Sequence, residues 1–173
     1  MPDDSTLDDV RTTDDNRGRV GGRRVALGVL LVIVLVASTG WLGVHSETAR
    51  ASGDGYRMSL TYPRVARSGL DIPWKLTLRH AGGFTGDITV AITADYFDIF
   101  EFQGMHPEPS DETATERFVY LTFAPPPAGA EVFTVALDTY VQPASQIGRD
   151  AVTAVIIGGH KVAQVSYKTW LVP

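Results

Sequence analysis

Hydrophobic and polar positions along the chain fall into blocks with different periods. Residues 25–44 (VALGVLLVIVLVASTGWLGV) hold no charged side chain over 20 positions. At 1.5 Å per residue that run makes a helix of about 30 Å, which matches the hydrocarbon core of a bilayer. Its valines lower helicity in water, but lipid offers the backbone no other hydrogen-bond partner, so the helix persists there. The pattern predicts a single transmembrane helix over 25–44.

Beyond Tyr56 the period becomes two, that of a strand with one buried face. Tyr56, Met58, Leu60 and Tyr62 alternate with Arg57, Ser59 and Thr61, and Pro63 is read as the strand's end. After a Ser68-Gly69 turn come Trp74, Leu76 and Leu78, with His80 continuing the inner parity. Ile88, Val90, Ile92 and Ala94 follow Gly82-Gly83. Later runs cover 117–124, 131–141, 151–157 and 161–171. Their predicted inward sets are Val119/Leu121/Phe123, Phe133/Val135/Leu137, Val152/Ala154/Ile156 and Ala163/Val165/Tyr167. The run 151–157 is apolar on both faces, so its parity is ambiguous and it suits a central strand. Gly158-Gly159 between the last two runs is a hairpin signal, because glycine adopts the positive φ of a tight turn. About seven short strands without an intervening amphipathic helix predict a mainly-β fold, an immunoglobulin-like β-sandwich over 56–173. Trp74 after Pro73 and Trp170 after Thr169 are read as indoles closing opposite ends of its core.

One stretch breaks the alternation. Residues 95–102 (DYFDIFEF) are too aromatic for a solvated loop. They fit a bulged strand or a short turn that folds aromatics over the sandwich edge, or an exposed patch for a protein partner.

The flanking segments are polar. Residues 1–24 mix six aspartates with five arginines and carry no aromatic side chain, so they are expected to be a disordered tail. Residues 45–55 (HSETARASGDG) are expected to be a short stalk. Arg11, Arg17, Arg19, Arg23 and Arg24 precede the apolar run, whereas Arg50 and Arg57 follow it closely. The positive-inside rule then makes 1–24 cytoplasmic and 56–173 extracytoplasmic, a single pass through the plasma membrane. An uncleaved anchor fits the 20-residue length better than a secretory signal, although Ala49-Arg50-Ala51 has the small-x-small form of a cleavage site.

Composition removes several classes of chemistry. There is no cysteine, so disulfides, thiol nucleophiles and cysteine-bound metals are excluded. A formal charge of −5 argues against a nucleic-acid binder. No phosphate-binding loop, dinucleotide fingerprint, HExxH, GxSxG or EF-hand spacing is present. Residues 103–116 (QGMHPEPSDETATE) group Glu108, Asp111, Glu112 and Glu116 beside His106, and calcium favours such oxygen ligands. The spacing fits no known calcium loop, and a solvated acidic face is the simpler reading. His45, His80, His106 and His160 are scattered, which does not make a zinc site. No catalytic, cofactor-binding or metal-ligating set can be named, and no cofactor is expected.

Four stretches carry a resemblance: Tyr62-Pro63-Arg64-Val65-Ala66-Arg67-Ser68-Gly69, Ile72-Pro73-Trp74, Gly82-Gly83-Phe84 and Thr169-Trp170-Leu171-Val172-Pro173. On these the chain resembles a group of small, uncharacterised single-pass membrane proteins of high-GC Gram-positive (actinobacterial) bacteria. The resemblance implies a membrane anchor and brings no activity with it. The expectation is a non-enzymatic accessory or interaction protein in the lipid bilayer, attached to another integral membrane protein. A glycan- or ligand-binding surface module and a small hydrolase are the alternatives. The first requires a groove of exposed Trp or Tyr, and the second requires converging polar groups in 95–116.

Overall fold

The computed structural model describes residues 16–38 and 44–172, which divide into two compact units. The first is a helix, α1, Asn16–Ser38. Its stretch Val20–Ser38 has a mean hydropathy of 2.1 and is long enough to cross a membrane. Large apolar side chains from Val25 to Val36 are exposed all round. Each would gain about 1.5–3 kcal/mol from burial, so the helix requires an apolar surrounding. The helix begins earlier than the predicted residue 25. Residues 16–24, expected to belong to a disordered tail, form the first turns of α1, because Arg23 and Arg24 are good helix formers continuous with the apolar run. Residues 1–15 of that tail, and residues 39–43 of the predicted helix, lie outside the described residues.

The second unit is mainly β, with ten strands. These are β1 (His45–Gly53), β2 (Tyr56–Arg67), β3 (Asp71–His80), β4 (Ile88–Thr93), β5 (Phe100–His106), β6 (Asp111–Ala114), β7 (Phe118–Phe123), β8 (Val132–Val141), β9 (Arg149–Ile157) and β10 (His160–Val172). A 3₁₀ turn, Ala94–Ile99, leads into β5. The strand order is β5-β8-β3-β2-β10-β9-β4-β7-β6, and β1 also pairs with β2. Every ladder is antiparallel except the short parallel pairing of β10 with β2, Trp170–Val172 against Val65–Arg67. The sheet folds over as a half-barrel around a single core, so that Phe123 of β7 meets Phe133 of β8 with ring centroids 5.4 Å apart.

Ten strands replace the predicted seven or so because β1, β5 and β6 are too polar or too irregular to show a buried period. The expected stalk is strand β1, held by nine residue pairs with β2 and turned at Asp54-Gly55, both with positive φ. β2 also runs through Pro63 instead of ending there. Its pairing with β3 has already stopped at Thr61, so the missing N–H leaves that ladder intact. In β9 the predicted parity is reversed. Ala151, Thr153 and Val155 are buried while, of the predicted set, Ala154 is buried but Val152 and Ile156 are half-buried, because the Thr153 hydroxyl finds a partner inside. The other inward sets are as predicted, save that Val119 is half-buried.

The halves are tied by buried hydrogen bonds. The Trp74 Nε1–H of β3 donates to the Tyr167 hydroxyl of β10 at 3.1 Å, and that hydroxyl also bonds Thr153 at 3.0 Å. Beside it, Thr169 donates to the Pro63 carbonyl at 2.6 Å, so the Tyr96 hydroxyl must donate to Thr169 at 2.8 Å. Burial pushes Tyr167 up to about 12, against the opposing pull of its bonds to Thr153 and Trp74. Burial likewise raises Tyr96 well above 10, and neighbouring Tyr167 adds to the shift.

The folded chain therefore keeps these protons above pH 10, where the unfolded chain releases them. Both contributions are complete below pH 10, and that of Tyr167 is lost as pH rises towards about 12. Alkaline unfolding should show stability falling by about 1.4 kcal/mol per pH unit from Tyr167 in that window, with Tyr96 adding to the fall in the same direction. Tyr167→Phe should remove one of the two contributions and cost about 2 kcal/mol at neutral pH, by stranding the Trp74 donor.

The β1 side of the half-barrel is closed at backbone contact. A Cβ on Gly53 of β1 would overlap the Val162 carbonyl oxygen of β10, and within the β9–β10 half one on Gly148, just before β9, would overlap that of Thr169. Gly53→Ala and Gly148→Ala should each cost about 2–3 kcal/mol in urea titrations. Gly86→Ala, with nothing within 4 Å, is the control and should stay within about 0.5 kcal/mol of the parent.

Candidate functional site

The opposite side of the half-barrel is open. β5 and β6 end the strand path and no ladder joins them, so each presents an unpaired backbone edge. The aromatic stretch that broke the alternation sits at this seam. In its 3₁₀ turn, residues three apart share a face, which places Tyr96 and Ile99 in the core. Phe97 lies between them in sequence and is only partly buried, packing edge-on against Phe102 at 6.3 Å. The turn closes with the Phe100 N–H donating to the Phe97 carbonyl.

A β-bulge then aims β5. The register slips between Phe102 and Gly104, so Phe102 faces Thr139 while Met105, three residues on, faces Leu137. Thr139 and Leu137 share the inner face of β8, and the extra residue turns Phe102 and Met105 to the same side. Met105 is buried, but Phe102 remains 47% exposed. Across the gap, Val119 and Leu121 of β7 continue the apolar surface. Together with Phe97 and Phe100 they line a groove of about 320 Å³.

One carboxylate enters this apolar surface. Glu112 is the Cα partner of Leu121, so it occupies an inner-face position of β6 and lines the groove. A charge on the inner face of a short edge strand hinders indiscriminate edge-to-edge pairing. β6, four residues long, is thereby guarded, whereas β5 offers the longer edge. On the outer face of β5, Glu101 accepts a hydrogen bond from the Tyr140 hydroxyl, and that bond raises the Tyr140 pKa above 10.

The acidic segment 103–116 is divided between the end of β5, a turn and β6 rather than forming one loop. Asp111 and Glu112 are successive strand residues and project to opposite faces, so the acids do not converge. Among the described residues no group of three His, Asp or Glu side chains is placed to hold a metal ion. His80 stacks on Tyr56 at 4.1 Å, and its Nδ1 lies 2.6 Å from the Gly83 carbonyl oxygen. The two indoles separate: Trp74 is buried, as expected, but Trp170 is 54% exposed and closes no end of the core. Its position alternates with buried Thr169 on β10, and the Lys168 ammonium sits 4.4 Å from its ring centroid.

No protein-family model and no curated protein sequence matches the chain. Among solved structures it is similar to a cohesin module of a Clostridium perfringens family 33 glycoside hydrolase, at 9% identity and a TM-score of 0.46, over 70% of this chain and 97% of that one. It is also similar to a chain of the CaDoc0917–CaCohA2 complex, at 14% identity and a TM-score of 0.42, over 62% of this chain and 94% of that one. A third is the collagen binding subdomain of the Enterococcus faecalis surface protein ACE, at 11% identity and a TM-score of 0.32, over 65% of this chain and 96% of that one.

Phe100 and Phe102 separate packing from surface. Phe100→Ala should cost about 3–5 kcal/mol, because its ring is buried against Tyr96 at 4.8 Å. Phe102→Ala should cost about 1 kcal/mol in the same denaturant titration, which leaves it usable as a probe of binding.

Proposed function

We propose that this chain is a non-enzymatic, membrane-anchored interaction protein whose β domain, immunoglobulin-like in packing two sheet halves face to face, takes an extended segment of a partner protein at the open seam. The anchor is α1, with the residues before it cytoplasmic and the β domain extracytoplasmic, as the arginine asymmetry around the apolar run implies. The observation that carries the reading is a half-exposed Phe102 beside an unpaired β5 edge, over a groove of apolar side chains. A strand added there would satisfy free backbone groups while placing alternate side chains in the groove. Glu112 at the groove's wall sets the partner's chemistry: apolar residues at every second position, with a lysine or arginine beside them. Sugar binding has less support, since Trp170 is a lone exposed indole outside the groove and already has the Lys168 ammonium over its ring.

The test is selection from a displayed library of random peptides against the full chain in lipid nanodiscs, parent and Phe102→Glu in parallel. The parent should enrich peptides of alternating apolar and basic character by about tenfold or more over the variant, a difference worth about 1.4 kcal/mol. A selected peptide should also slow amide exchange along β5. Selection of the same peptides by both proteins, or unchanged exchange in β5, would refute the reading.

A further inference from the structure

A second surface lies on the outer face of β1, β2 and β3. Along these strands the inner positions are the buried Met58, Leu60, Leu76 and Leu78, so the residues between them face outward. Arg57 of β2 and Arg79 of β3 are Cα partners, and Ser52 of β1 is the partner of Arg57 on its other side. In the next row Arg50 faces Ser59, which faces Thr77. Lys75, opposite Thr61, extends the same face. Three guanidinium groups and the hydroxyls of Ser52, Ser59 and Thr77 line a concavity of about 560 Å³, into which no carboxylate projects. Asp138, the partner of Pro73, lies beyond Lys75 at the far end of this face.

Two features make this more than a polar surface. Like charges directly opposite each other across a ladder destabilise a sheet, and Arg57 and Arg79 occupy such a pair. Among the described residues, the ion pairs are Arg64 with Glu47 and Lys168 with Asp150, so none of the three arginines is neutralised. A chain of net charge −5 thus keeps three cations together with no anion of its own. Guanidinium forks bind phosphate oxygens in pairs, and hydroxyls between them add donors.

We infer that the Arg50–Arg57–Arg79 face binds phosphate groups of anionic phospholipids in the bilayer that holds α1. The covalent path favours a headgroup as the source of phosphate. The described helix reaches Ser38 and the strand carrying Arg50 begins at His45, seven residues on, which span at most about 25 Å even when fully extended. The inference takes α1 as the membrane anchor and is independent of the groove at β5.

The chain has no cysteine, so single labels can be placed cleanly. A fluorophore on Ala81→Cys, exposed two residues beyond Arg79 and outside the concavity, would report the arginine face, and one on Thr113→Cys, exposed on β6, would serve as control. Full-length protein is reconstituted into nanodiscs of phosphatidylcholine alone or with one third phosphatidylglycerol (~30%), each carrying a headgroup quencher. The Ala81→Cys label should be quenched in the phosphatidylglycerol discs, and the Thr113→Cys label should not respond. Raising salt to about 0.5 M should release the quenching, which tests the parent without altering its fold. Arg50→Gln, Arg57→Gln and Arg79→Gln together should lower the docked population about hundredfold, each arginine contributing about fivefold. Equal quenching in both discs, or retention of quenching by the triple variant, would overturn the inference. So would protection of Ala81→Cys from thiol reagents by soluble polyphosphate with no effect of phosphatidylglycerol, since the ligand would then be a dissolved polyanion. Failure of the full chain to enter either disc would count against α1 as the anchor and remove the basis for a lipid source.

Discussion

The Tyr167 hydroxyl is the point on which the two halves of the β domain are aligned. It accepts from Trp74 in one half and bonds Thr153 in the other, inside a core where an unpaired donor costs about 1–3 kcal/mol. Hydrophobic burial alone would tolerate a slide of one half over the other. Directional bonds do not, and the parallel Tyr96–Thr169–Pro63 chain fixes the same interface a short distance away. With register set from within, the chain has no need of a disulfide, and its lack of cysteine is compatible with a domain of this size.

That alignment produces an asymmetric half-barrel. One side is drawn so close that Gly53 of β1 admits no side chain against β10, while the other leaves β5 and β6 apart. The open side is therefore a property of the whole topology and not of a single loop. It also explains why an aromatic segment with a broken period occurs where it does. Tyr96, Ile99 and Phe100 complete the core, and Phe97 and Phe102, on the same short segment, are left facing the gap.

Much of this architecture was legible as alternation. The apolar span, the inward faces of β2, β3, β4, β8 and β10, and the Gly158-Gly159 turn all follow from period and turn chemistry. What escaped had a physical reason in each case. β1 pairs through its backbone and buries little beyond Ala49 and Ala51, so its side chains carry no strand signal, although Asp54-Gly55 is a hairpin dipeptide that pointed to it. In β9 both faces are apolar, and only the Thr153 hydroxyl decides which one turns inward. The groove depended on a bulge between Phe102 and Gly104 that no period reveals. Segment 95–116 was marked as the place to look, yet the acids that drew attention to it separate, and Glu112 alone reaches the groove.

The order of strands also has a mechanical meaning. Tension entering at His45 and leaving through a strand bound to β5 would cross β1, β2, β3, β8 and β5 in turn, one ladder at a time. The half made of β10, β9, β4, β7 and β6 would stand outside that load path, braced against it by packing and by the Trp74–Tyr167 bond. Under pulling, resistance would then reside in four antiparallel ladders, and β1, at the extremity of the series, would be the first strand to bear the load.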